Sequence, residues 1–200
     1  MDLKQRLQYI WDYYKLPILA IPITILVIIF LIMSFRTDTE PDFSLYLINQ
    51  SVTEEQRQEL QTSLHTALCP DTTDSSVYID TSLVITPSSP DYDSQMSFTT
   101  AIAGHTIDVM ISDEDFFTYY AAKDAFYNLS EFLPAELYEQ LTPYLLFADD
   151  ATGASHAYGL DVSDCPLFSK SESTPLVLTV AKGTEHVDVV SAFIHLLFSI

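Results

Sequence analysis

The chain has 200 residues, and 28 acids against eight Lys and Arg give it a formal net charge of −20. Nothing so acidic neutralises a row of phosphates, which excludes nucleic acid as a partner, and an anionic membrane surface repels it. The length suits one sizeable core and is short for two.

The charge is unevenly spread. Residues 1–36 hold Lys4, Arg6, Lys15 and Arg36 against Asp2 and Asp12, whereas the remainder sets only Arg57, Lys123, Lys170 and Lys182 against 26 acids. Between the first two groups of cations, Leu16 to Phe35 (LPILAIPITILVIIFLIMSF) runs twenty residues without a charge. A helix of that length reaches about 30 Å, the thickness of the hydrocarbon core. A transmembrane helix is therefore expected over 16–35, with Pro17 in its first turn and a kink at Pro22. The stretch is longer than a signal-peptide core and no small-x-small cleavage pattern follows it, so an uncleaved anchor is expected. Lys4, Arg6 and Lys15 precede the span, which places the N-terminus in the cytoplasm. The expected organisation is a cytoplasmic stub (1–15), the span, a polar tether (36–42) and an extracytoplasmic domain (43–200).

FSLYLIN (43–49) reads as a strand covered on both faces, because it scarcely alternates. Thr53 and Gln56 have capping-box spacing and open a helix over 54–68, with Leu60, Leu64 and Leu68 as its apolar stripe. A second strand is expected over 76–86. A helix follows over 93–104, with Met96, Phe98, Thr99, Ala101 and Ile102 inward and Gly104 as its stop. Ile107–Ile111 is a third strand, and Asp113–Ala122 is an aromatic helix with Ser112 as N-cap. A helix from Pro134 to about Tyr144 precedes two strands, LLFAD and HAYGLDV, across the polar turn 149–155. STPLVLTVA (173–181) and a closing helix over 184–198 complete the chain. Strands alternate with helices, so an α/β domain with one mainly parallel sheet and flanking helices is predicted.

Two stretches carry a family likeness. TTAIAGHTIDVMISDEDFFTYYAAKDAFYNLSEFLP (99–134) resembles a segment of bacterial extracellular solute-binding proteins of the type 2 periplasmic-binding-protein fold, through Ala103-Gly104, Ile107-Asp108-Val109-Met110 and Asn128-Leu129-Ser130-Glu131. TPLVLTVAKGTEHVDVVSAFIHLLF (174–198) is similar to the returning strand and helix of that family's first lobe. Such receptors normally have two lobes around a cleft, and only one lobe's worth of chain follows the tether here. The resemblance therefore implies a single lobe, working beside a membrane-protein partner or holding a small solute on an open face.

In an open α/β sheet, ligands gather where strands end and helices begin. Asn49, Gln50, Ser51, Ser88, Ser112 and Asp113 are the candidates for such a rim. The competing reading of Ser112-Asp-Glu-Asp115 is an N-cap with first-turn acids favoured by the helix dipole. Asp91/Asp93, Asp149/Asp150 and Asp161/Asp164 are carboxylate pairs without the spacing of a calcium loop, and are read as acidic turns. The five histidines show no ligand spacing, so neither a metal nor a cofactor is expected. No G-x-S-x-G or phosphate-cradling loop occurs, and Cys165 lies among acids that make a thiol less reactive, so no enzyme is expected. Cys69 and Cys165 are the only cysteines; they either pair outside the cell or stand as two half-buried thiols.

Overall fold

The structure, a computed structural model, describes residues 21–30, 41–68, 76–86, 91–165, 168 and 175–198. The chain divides into two compact units, Met1–Glu40 and Pro41–Ile200. In the first, residues 21–30 are helical (α1) with every side chain exposed. The rest of the 16–35 span lies outside the described residues. Among those described, no helix is long and apolar enough to cross a membrane.

The second unit is built on six strands: β1 (Phe43–Leu47), β2 (Val77–Asp80), β3 (Val109–Ser112), β4 (Leu145–Asp149), β5 (Ser155–Asp161) and β6 (Val177–Val180). They form one sheet in the order β2-β1-β3-β6-β5-β4. The expected "mainly parallel" sheet is corrected to a mixed one. Only β1 with β2 and β1 with β3 are parallel, while β3–β6, β6–β5 and β5–β4 are antiparallel. The reason is connection length. Parallel neighbours need a crossover of about a dozen residues or more, usually a helix, and only five residues link β4 to β5. That link is a hairpin turn closed by Asp150 N–H to Ala154 O at 2.9 Å, with Gly153 at φ 82°. β6 returns antiparallel beside β3.

The helices are α2 (Glu54–Leu68), α3 (Tyr92–Ala103), α4 (Glu114–Ala121), α5 (Leu129–Phe132), α6 (Ala135–Gln140) and α7 (Val187–Phe198), with a 3-10 turn at Thr142–Tyr144. They cover both faces of the sheet, and this is why β1 does not alternate. Phe43, Leu45 and Leu47 pack into one apolar layer with Leu60 and Leu64 of α2 and Phe193 and Ile194 of α7. Tyr46 and the following Ile48 face the other layer, with Phe98 of α3 and Phe116 and Phe117 of α4. In that layer Phe98, Phe116 and Tyr120 form a closed aromatic trio, with centroids 4.4–5.3 Å apart. Met96 and Thr99, expected inward, are exposed; Ser94 and Phe98 are the buried positions of α3.

β4 and β5 slip register between Leu146 and Phe147, which leaves Tyr158 as the extra residue of a bulge that turns its ring into the aromatic layer. Next to it, Gly159 lies flat against its neighbours: a Cβ there would meet Val177 Cγ1 at 2.6 Å and Phe117 Cε2 at 3.0 Å. Cys165 is half-buried against the first layer; Cys69 lies outside the described residues.

Candidate functional site

The carboxyl ends of β1, β2 and β3 share one edge of the sheet. The loop after β1 holds Asn49, Gln50 and Ser51, the segment after β2 holds Leu83 to Ile85, and β3 runs into Asp113. Asn49 ties these together. It sits in the left-handed region at φ 60°, which asparagine tolerates better than most residues. Its Nδ2 donates to Ile85 O at 2.8 Å and to Asp113 Oδ2 at 2.7 Å, and its Oδ1 accepts from Ile85 N–H at 2.7 Å. The predicted strand over 76–86 thus ends at Asp80, and its last residues hang on a side chain instead of a ladder.

The opening turn of α4 corrects the expected cap. Asp113, not Ser112, is the N-cap, accepting from Phe116 N–H at 2.8 Å through Oδ1. Ser112 is the last residue of β3 and fully buried. Gly104 ends α3 as its C-cap, as expected; it keeps helical angles, and the left-handed residue is His105 at φ 56°. Of the six rim candidates, Asn49 and Asp113 are latched to each other and Ser112 is walled in. Ser88 lies outside the described residues. Gln50 and Ser51 remain at the surface.

Those two line an open cleft with a cavity of about 320 Å3 between the ends of β1 and β3 and the face of α2. Its apolar floor includes Leu47, Leu60, Ile111, Phe168 and Leu176. Gln56, Glu59 and Ser63 of α2 supply the rest of its polar lining. The side chains of Ser51, Glu59 and Ser63 make no hydrogen bond among the described residues. Sequence reasoning missed the α2 side of the cleft, though a signal existed. Gln56, Glu59, Leu60 and Ser63 stand at i, i+3, i+4 and i+7, one face of a helix, directly after two rim candidates. The capping box forms as expected, Gln56 N–H to Thr53 Oγ1 at 3.3 Å and Thr53 N–H to Gln56 Oε1 at 3.0 Å. Arg57, on the same helix, is taken by Glu54 at 2.5 Å, and its hydrogen bonds hold the Glu54 carboxyl down to about 2.

The opposite edge carries a second polar cluster, which the sequence did not announce. Asp108, just before β3, is buried, and its Oδ2 accepts from Ser44 N–H at 2.7 Å. The Thr184 hydroxyl donates to Asp108 Oδ1, and His186 Nδ1 lies 3.1 Å from the same oxygen. An acid–imidazole pair invites a catalytic reading, which needs a nucleophile on the far ring nitrogen. Here the Thr184 hydroxyl turns to the carboxyl itself, and the Ser44 hydroxyl lies 2.7 Å from Thr106 O. The cluster staples the β6–α7 loop to the starts of β1 and β3.

Two of the acidic pairs resolve into turns, whereas Asp91, expected in a turn, is the N-cap of α3, accepting from Ser94 N–H, with Asp93 in the helix's first turn. Asp80, Asp150 and Asp161 each accept from the backbone and hydroxyl of a Ser or Thr two positions on. Among the described residues, no group of three His, Cys, Asp or Glu side chains is placed to hold a metal ion. The Thr152 hydroxyl, with the Ala154 N–H next, holds Asp150 down to about 2. A carboxyl depressed in the folded state stabilises above its ordinary range, near 4, and loses that contribution as pH falls through its folded value. Asp150→Ala is thus expected to melt below the wild type at pH 6, with the gap closing between about pH 4 and 2. Thermal unfolding followed across that range by circular dichroism checks it; a gap that does not depend on pH refutes it.

The class these observations define is a three-layer α/β domain with a mixed sheet and one polar-lined cleft at its strand ends. No protein-family model and no curated protein matches the chain. A solved structure with some likeness is that of a proposed oligosaccharide periplasmic-binding protein from Synechococcus sp. MITs9220, 15% identical, with a TM-score of 0.38. The alignment covers 60% of this chain and 26% of that protein, so the chain spans about a quarter of its length. A likeness of that size leaves fold and function to be argued from the chain's own residues.

Proposed function

We propose that this chain is a membrane-tethered, extracytoplasmic, non-catalytic binding module that takes a small solute into the strand-end cleft. The observation that carries the reading is the cleft: a cavity of about 320 Å3 whose apolar floor is bordered by Ser51, Glu59 and Ser63, which make no side-chain hydrogen bond among the described residues. Ligand pockets run from about 300 to 1,000 Å3, mostly apolar with a few convergent polar groups. The tether rests on the twenty uncharged residues of Leu16–Phe35 and the cations before them. The non-catalytic reading is supported by the lining: among the described residues of the cleft there is no histidine or lysine to take a proton from Ser51 or Ser63.

A thermal-shift screen of the full chain in lipid nanodiscs against sugars, amino acids, peptides and divalent cations tests this. One class is expected to raise the midpoint, and Ser63→Trp, which fills the cleft from an exposed helix position, is expected to abolish that rise. The substitution should move the unliganded stability by no more than about 0.5 kcal/mol. A ligand shift untouched by Ser63→Trp refutes the cleft as the site. Recovery of the chain from cells in an alkali-washed membrane fraction tests the tether, and release into the wash overturns it.

A second reading is an interaction module serving a membrane-protein partner. It is favoured by Tyr92 and Met96, which are 77% and 60% exposed one turn apart on α3. Loss of partner capture in a Tyr92→Ala/Met96→Ala double variant, with no ligand shift in the screen, would select it.

A further inference from the structure

We infer that the strand-end cleft selects a primary amine carried on a small apolar body, with Glu59 as the counter-charge; this rests on the reading of the cleft as a solute site. The cavity fixes the size. At about 30 Å3 per water in the liquid, 320 Å3 is the share of about ten waters, room for a ligand of about ten heavy atoms. The floor fixes the body. Leu47 and Ile111 at the strand ends, Leu60 of α2, and the buried Phe168 and Leu176 give an apolar surface that would leave a sugar's hydroxyls unsatisfied.

The rim fixes the charge. Glu59 is the one ionisable side chain among the described residues lining the cleft, and no Lys, Arg or His is among them. The N-terminus of α2 beside the cleft would ordinarily favour an anion, but Glu54 and Glu55 occupy its first turn. Arg57, the cation one position after Gln56, is already paired with Glu54. A carboxylate ligand would therefore meet Glu59 with no cation among the described lining residues to offset the repulsion, in a chain of net charge −20. An ammonium group has three donors. Glu59 accepts one, and the oxygens of Ser51, Ser63 and Gln50 around the same opening take the others.

The test uses three probes on one body: phenethylamine, 2-phenylethanol and phenylacetate, titrated by calorimetry into the full chain in nanodiscs of uncharged lipid, with empty nanodiscs as control. The amine is expected to bind about two- to fivefold more tightly than the alcohol, the range of an exposed ion pair, and phenylacetate more weakly than either. That advantage should shrink in 0.5 M salt. Glu59→Gln, at an exposed position, should erase it while leaving the alcohol's affinity in place. Equal binding of amine and alcohol, or an advantage that survives Glu59→Gln, overturns the inference and leaves the cleft as a site for another ligand. If none of the three binds while a screened solute gives a shift that Ser63→Trp removes, the amine assignment falls and the proposed function stands. If no solute gives such a shift, both fall.

Discussion

Asp108→Ala is expected to lower the unfolding free energy by about 3–5 kcal/mol, a large share of the 5–15 kcal/mol that holds a typical domain together. The carboxyl is 2% exposed, and three parts of the chain converge on it: Ser44 N–H at the start of β1, the Thr184 hydroxyl after β6, and His186 before α7. Truncation strips the acceptor from two buried donors, each left unsatisfied at a cost of about 1–3 kcal/mol, and opens a void between them. His186 is 39% exposed on its side chain and water can replace its lost contact, so His186→Ala should cost no more than about 1 kcal/mol. Thr184→Val removes a single donor and keeps the volume, and should fall between the two. Urea unfolding of the full chain in detergent, followed by near-ultraviolet circular dichroism of the aromatic layer, measures all three. If Asp108→Ala costs less than His186→Ala, the staple is misread and the cluster exists for another purpose.

The contrast between the two edges of the sheet explains what the sequence disclosed. Elements set by local pattern were legible: the capping box of Thr53 and Gln56, the leucine stripe of α2, and the scarcely alternating strand β1 all appear where periodicity and turn chemistry put them. The direction of strand pairing was less so, because helix–strand alternation suggests a parallel sheet and says nothing about where a returning strand is inserted. The Ser112–Asp113 junction was read one residue off, since both are good caps and the choice is made by Asn49, 64 positions earlier. Asp108 looked like the polar member of a strand motif. Its role depends on Ser44 and Thr184, which are 64 and 76 positions away. Half of the cleft was legible, because Gln50 and Ser51 follow a strand and so belong to the rim. The other half sits on an α2 face whose Gln56, Glu59 and Ser63 read as solvent-facing until the helix is placed against the strand ends.

Asn49 joins stability to binding, and its substitution separates the two. Asn49→Gly keeps the left-handed backbone and removes three side-chain hydrogen bonds, to Ile85 N–H, Ile85 O and Asp113 Oδ2. At about 1 kcal/mol net for each, the loss should be about 2–4 kcal/mol. Asn49→Ala adds the penalty of forcing a Cβ to φ 60° and should cost about 1–2 kcal/mol more. Asn49→Asp should match or exceed that loss, because it keeps an acceptor for Ile85 N–H but turns oxygen lone pairs on Ile85 O and on the Asp113 carboxylate. The order Gly, Ala, Asp in increasing damage is what a backbone-mimicking latch requires. An order in which Asp is the mildest would mean that the carboxyl of residue 113 is not where the latch closes. Gln50 and Ser51 follow the latch directly, so Asn49→Gly should also weaken whatever binds in the cleft. The comparison with Ser63→Trp is the sharp one: that variant should lose the ligand at full stability, whereas Asn49→Gly should lose both together. A glycine variant that melts early yet binds normally would uncouple the rim loop from the cleft and leave the α2 face as the whole of the site.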